Sequence, residues 1–162
     1  ELNNKINKNL LNLSHQMYEK YFSKCNFEKE VKLSKSCNIK YGRGLPTKKI
    51  LDKGYPVYGG NGIIGYYNEK MYEEPQILIS CRGAASGKVI FTKPNCFVTN
   101  NSLVLESDRK YYYYLKELSL ANPYYSYSTG SAQPQITSNL QNICLKVVKH
   151  QLMRMAKQDI KP

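Results

Sequence analysis

Residues 55–66 read Tyr-Pro-Val-Tyr-Gly-Gly-Asn-Gly-Ile-Ile-Gly-Tyr, and the choice of fold turns on what those glycines do. Gly60 to Gly65 matches G-x-G-x-x-G. In a dinucleotide-binding fold that pattern follows a strand, opens a helix and is answered by an acid about 20 residues later. Here Tyr66-Tyr67-Asn68 follows, a poor helix start, and residues 78 to 90 contain no acid. The glycines are expected to shape a hairpin turn instead.

Working outward, Val57–Tyr58, Ile77–Ser80, Lys88–Phe91, Cys96–Thr99 and Leu103–Leu105 read as short strands. Gly59, Gly60, Gly62, Gly65, Gly83 and Gly87 punctuate them, as tight turns require. Lys110–Ala121 reads as a helix with Tyr114, Leu115 and Leu118 on its apolar face, ended by Asn122-Pro123. Ile143–Val148 reads as a last strand. Upstream, Leu2, Ile6, Leu10, Leu13, Met17 and Tyr21 recur every three or four residues, the seam of a helix of about 22 residues, roughly 33 Å long. So narrow a seam favours another helix as its partner, in the manner of a coiled coil; the plainer alternative is a helix lying on its own domain. The expected fold class is α+β: a small mixed β-sheet domain behind a long N-terminal helix. The expected divisions are a helix over 1–24, a domain over 25–148, and a tail over 149–162 that starts a second helix.

Composition narrows the function. With 41% hydrophobic residues the chain can build a core, and no apolar run approaches the ~20 residues of a membrane span. The opening Glu1 to Leu10 is too polar for a signal peptide, so a cytoplasmic protein with no membrane partner is expected. Lys and Arg number 24 against 12 acids, a net charge of +12. That excess favours a polyanion, although a lysine-rich solvated surface would look the same. Cys25, Cys37, Cys81, Cys96 and Cys144 form no CxxC pair, which argues against a zinc site and a disulfide framework. Reduced, mostly buried thiols are expected.

Catalytic patterns fail on their details. Gly83-Ala-Ala-Ser-Gly-Lys88 is one residue short of a P-loop, and Val89 stands where the magnesium-binding hydroxyl should be. Asn122-Pro123-Tyr124-Tyr125 lacks the second proline of the amino-methyltransferase loop. The acids Asp52, Glu69, Glu73, Glu74 and Glu106 are scattered rather than clustered for a metal, and His15 and His150 lie far apart. No catalytic residue, metal site or cofactor is expected on this chain.

Four segments in order carry a resemblance. They are Tyr55–Tyr66; Ile77–Val89, reading ILISCRGAASGKV; Cys96–Asn101, reading CFVTNN; and Tyr127–Thr137, which contains GSAQPQIT. Together they resemble the specificity subunit of Type I restriction–modification systems, over about residues 1–148. Asn9–Tyr18 through Tyr21-Phe22 resembles the end of that family's central spacer helix. The resemblance implies a target-recognition domain that reads half of a bipartite duplex DNA site and docks modification subunits. Those subunits would bind S-adenosylmethionine, and restriction subunits of the full complex would use ATP. A homodimer through the long helix is a further expectation, with Leu2, Ile6, Leu10, Leu13 and Met17 as packing residues. Val147–Met155 departs from the family's proline-led second spacer, which is expected to reflect a truncated, frameshifted or engineered end.

Segments that every relative shares cannot choose between targets, so base reading is expected in the stretches between them. Lys40–Lys49, reading KYGRGLPTKK, leads. Arg43 can fork onto guanine from a Gly-flanked flexible loop; Tyr41 lies beside it, and Lys40, Lys48 and Lys49 suit phosphates. Tyr66–Glu74 follows, and then Tyr111–Tyr114 with Tyr124, Tyr125 and Tyr127, whose alternative role is core packing. Arg82 and Lys88 flank a turn and suit phosphates. Gln133 and Gln135 either bond the DNA backbone or hold their own loop.

Overall fold

Ile77-Leu78-Ile79-Ser80 and Ser102-Leu103-Val104-Leu105 are apolar or small at every position, so neither strand has a face that can meet water. Both are buried throughout that run. The computed structural model of the chain places them at the centre of a sheet; it describes residues 2–20, 29–122, 124–130, 134–137, 140 and 144–147. The elements are α1 (Leu2–Tyr18), β1 (Lys29–Lys32), β2 (Asn38–Tyr41), β3 (Tyr55–Gly59), β4 (Gly62–Tyr67), β5 (Ile77–Ser80), β6 (Val89–Phe91), β7 (Phe97–Val98), β8 (Ser102–Glu106), α2 (Tyr112–Ala121) and β9 (Cys144–Val147).

The four-stranded sheet runs β2-β8-β5-β6, antiparallel throughout. A three-stranded sheet runs β4-β3-β7, with β3 antiparallel to β4 and parallel to β7. Tyr58, Cys96 and Val98 from the second sheet's side meet Leu78, Ile90 and Val104 of the first in one core cluster. Register puts Leu78 opposite both Ile90 and Val104, so those three share a face. Ile77, Ile79, Leu103 and Leu105 point the other way and are equally buried. Leu115 and Leu118 of α2 are buried too, and Lys116 reaches over the Phe91 ring at 4.9 Å. Burial on both faces is why β5 and β8 read as continuous apolar runs.

The chain divides into two compact units, residues 1–31 with 144–162, and residues 32–143. In the first, β1 pairs with β9. The packing residues Leu2, Ile6, Leu10, Leu13 and Met17 of α1 are all exposed, from 46% to 71%. The expected helix beyond residue 20 and the tail beyond residue 147 lie outside the described residues.

The α+β class follows the sequence expectation, and the five strands expected in residues 57–105 all form, with ends shifted by a residue or two. Two further strands form in the same unit. In β2 only Ile39 is buried, too little apolar content for a strand to show. In β4 the glycines read as turn alone, but they continue into a strand: β3 and β4 make the hairpin, with a bulge between Val57 and Tyr58. Gly65 sits at φ 149°, where a side chain would be strained and would strike Ile50. Cys37, Cys81 and Cys96 are free and buried, as expected of structural thiols.

Candidate nucleic-acid interface

The four motif segments, scattered over 83 residues of sequence between Tyr55 and Thr137, meet at one end of unit 32–143. Strand directions bring them there: β2, β5, β3 and β7 finish at this end, while β8, β6 and β4 start from it. Backbone bonds then stitch the loops together. Cys81 N–H donates to Asn101 O at 3.0 Å, and Ile136 N–H donates to Cys81 O at 3.0 Å. Gly83 N–H donates to Pro134 O at 3.0 Å, so Pro134–Ile136 lies along Cys81–Gly83 like an added strand. Thr129 and Gln135 exchange bonds of 2.8 and 2.9 Å, closing the loop between them. Ile136 is buried and anchors this segment, while Gln135 stays exposed beside its bridge partner Arg82. Gln133 lies outside the described residues.

Gly42 and Arg43 join the same end, and the Lys40–Lys49 stretch is not the flexible loop its glycines suggest. Lys40 and Tyr41 close β2, and Thr47–Lys49 forms a 3-10 turn. Arg43 is held on both sides: its N–H donates to Val98 O at 2.9 Å, and its carbonyl accepts from Asn100 N–H at 3.2 Å. Gly42 permits this, because a Cβ there would collide with the Val98 and Thr99 carbonyl oxygens. The backbone is fixed while the Arg43 side chain remains exposed.

Charge is distributed unevenly. Glu73 pairs with Lys70, Glu74 with Arg109, Asp108 with Lys110, and Glu106 with Lys40. Apart from half-buried Glu106 these groups are exposed, and the exposed pairs are individually worth little stability. Their effect is to match these four acids with base. Arg43 and Arg82, in the loops joined at this end, have no ion-pair partner among the described residues, and neither have Lys48 and Lys49 of the Thr47–Lys49 turn. Unpaired cations raise the local potential, which is what draws a polyanion.

Two expected phosphate ligands are occupied internally. Lys88 Nζ donates to Asn61 Oδ1, tying the Gly83–Lys88 loop to the β3–β4 turn. Lys40 Nζ lies 2.8 Å from Glu106 Oε2. Of the tyrosines, Tyr124 is buried in the core, whereas Tyr113 and Tyr125 are 72% and 70% exposed. Tyr125 lies with Asn61, Ala84, Ala85, Ser86, Gly87 and Lys88 along a shallow groove. In the Tyr66–Glu74 stretch, Tyr72 bridges Cys96 and donates its hydroxyl to Glu106 at 3.0 Å. Asn61, Asn100 and Glu106 are functional candidates that sequence reasoning passed over. The two asparagines sat inside shared motifs, and Glu106 was one of several scattered acids. Among the described residues no group of His, Cys, Asp and Glu could hold a metal, and no helix is long and apolar enough to cross a membrane.

Fold and site define a class: a small α+β domain with a cationic, loop-built end. The chain belongs to the Type I restriction modification DNA specificity domain family, whose model matches residues 26–151. It is similar to the Type I restriction enzyme EcoprrI specificity subunit of Escherichia coli, 30% identical over 78 residues, 45% of this chain and 20% of that protein. Two solved structures share the fold. One is a Type I restriction–modification S subunit from M. genitalium, with TM-score 0.62, 19% identity, and 80% of this chain and 37% of that one covered. The other is an HsdS subunit from Thermoanaerobacter tengcongensis, with TM-score 0.52, 20% identity, and 98% and 44% covered. The chain thus spans under half the length of each of these relatives.

Proposed function

We propose that this chain reads one half of a bipartite duplex DNA target for a Type I restriction–modification complex, and does no chemistry of its own. The observation that carries the reading is the placing of Arg43 and Arg82, without acidic partners, at the end where the four shared segments meet. Lys48, Lys49 and Arg82 take phosphates, which supplies affinity and orientation. Arg43 is the base reader: its backbone is pinned by two hydrogen bonds, so its exposed side chain starts from a fixed point and its guanidinium can fork onto guanine O6 and N7. Gln135, exposed beside Arg82, serves the sugar–phosphate backbone. The seam of α1 is the docking face for modification subunits, which supply S-adenosylmethionine; restriction subunits supply ATP hydrolysis.

The test is methylome sequencing of cells carrying this chain with its modification subunit, for wild type and Arg43→Ala. Relaxed sequence choice at one position supports the assignment; full, unchanged methylation of the same site sinks it. A second reading, an assembly protein that dimerises or captures modification subunits, is favoured by the five exposed seam residues. Replacing Leu10 and Leu13 with Asp separates the two. Loss of co-purification with retained duplex binding assigns the helix to assembly and the domain to recognition.

A further inference from the structure

We propose that Glu106 is a positioning residue that withholds Lys40 from DNA phosphate and so sets one edge of the binding face; the proposal rests on the reading of the loop end as a duplex-binding surface. The carboxylate takes three donors, two from β2 and one from Tyr72. Oε1 accepts from the Tyr72 hydroxyl at 3.0 Å, and Oε2 accepts from Asn38 Nδ2 at 3.2 Å and from Lys40 Nζ at 2.8 Å. A carboxylate offers about four lone-pair sites, so little capacity is left.

The partners are unequal. The Glu106 side chain is 26% exposed and is fixed by Tyr72 and Asn38 without any help from lysine, whereas Lys40 is 57% exposed. The acid is therefore the fixed post and the ammonium the group drawn to it. Tyr72 remains a donor: burial first, and then the bond to Glu106, pushes its hydroxyl well above the usual tyrosine range. The charge of Arg43 acts on the same hydroxyl in the opposite sense, which puts the proposed base reader within electrostatic reach of this cluster. Lys40 lies three residues before Arg43, about 10 Å along an extended chain. Free, it would add a sequence-blind contact beside a sequence-reading one. Paired, it leaves the balance with Arg43.

The experiment is fluorescence anisotropy of the full chain on an unrelated duplex from about 50 to about 200 mM salt, with a melting curve for each variant. The variants are Glu106→Gln, Lys40→Met and the double substitution. Glu106→Gln should bind more tightly at low salt and steepen the log–log salt slope by about 0.9, so its affinity falls about threefold further than wild type over that range. Lys40→Met alone should leave the wild-type slope unchanged, and in the double variant it should abolish the gain. A purely structural glutamate would lower the melting temperature and weaken binding without steepening the slope. The proposal is overturned if a folded Glu106→Gln keeps the wild-type slope, or if Lys40→Met flattens it. The Lys40→Met arm stands even if Glu106→Gln does not fold. Wild-type protein that binds no duplex at any salt overturns the underlying reading itself, a result distinct from a wild type that binds with unaltered variant slopes.

Discussion

Replacing Gly42 with alanine should cost the domain about 3 kcal/mol and move Arg43 off its register. The new methyl would enter the space of the Val98 and Thr99 carbonyl oxygens. Both are backbone, so neither can swing aside as a side chain would, and the end of β2 must lift. Three bonds are at stake: Gly42 N–H to Ser102 O at 3.1 Å, Arg43 N–H to Val98 O at 2.9 Å, and Asn100 N–H to Arg43 O at 3.2 Å. At about 1 kcal/mol net for each, the loss is about 3 kcal/mol, or a melting temperature lower by about 10 °C for a domain of this size. Gly44 supplies the control. Nothing lies within 4 Å of a Cβ there, and its φ is not positive, so Gly44→Ala should be neutral or stabilise by up to about 1 kcal/mol. Thermal melting of the two variants decides the matter. If Gly42→Ala melts within about 2 °C of wild type, the close approach of β2 to the Val98–Asn100 segment is wrong. If Gly44→Ala falls as far, both glycines serve loop flexibility and the argument fails.

Other outcomes follow from the same geometry. Lys48→Met with Lys49→Met should weaken binding evenly across DNA sequences and flatten the salt slope by up to about 1.8, without relaxing base choice; a changed target sequence would count against phosphate roles. Leu78→Ala empties the centre of the inter-sheet cluster, from a residue with no exposure, and should cost about 2–5 kcal/mol in urea denaturation. Burial pushes the Cys37 thiol up from 9.0 to about 12, so the folded protein holds a proton that the unfolded chain gives up first. Stability should hold below about pH 9 and fall as pH rises towards 12, and Cys37→Ala should shallow that fall; identical melting profiles for the two proteins would remove Cys37 as a cause.

The sheet interior was legible because β5 and β8 are apolar at nearly every position, and few arrangements other than a covered central strand tolerate that. The turn at Gly60-Asn61 was legible by elimination, since nothing after the glycines could open a helix. Harder to see was β2, whose single buried residue leaves no period to detect. The candidate site was half legible. Arg43, Lys48, Lys49 and Arg82 stand out by residue type and loop chemistry alone, but whether a lysine is free depends on its neighbours in space. Lys88 is held by Asn61, 27 positions away, and Lys40 by Glu106, more distant still. Gly42 misled for a related reason: glycine marks both slack chain and tightly packed chain, and only the Val98–Asn100 segment across from it tells which.

The pairing of β1 with β9 bears on how such a domain can change. The two strands are far apart in sequence, on either side of most of the larger unit, yet they form one two-stranded ladder whose rails stand about 4.8 Å apart. The smaller unit is thus closed by segments that the chain reaches only before and after building the larger one. Residues added or removed between them change the length of the intervening chain without removing either rail of the ladder.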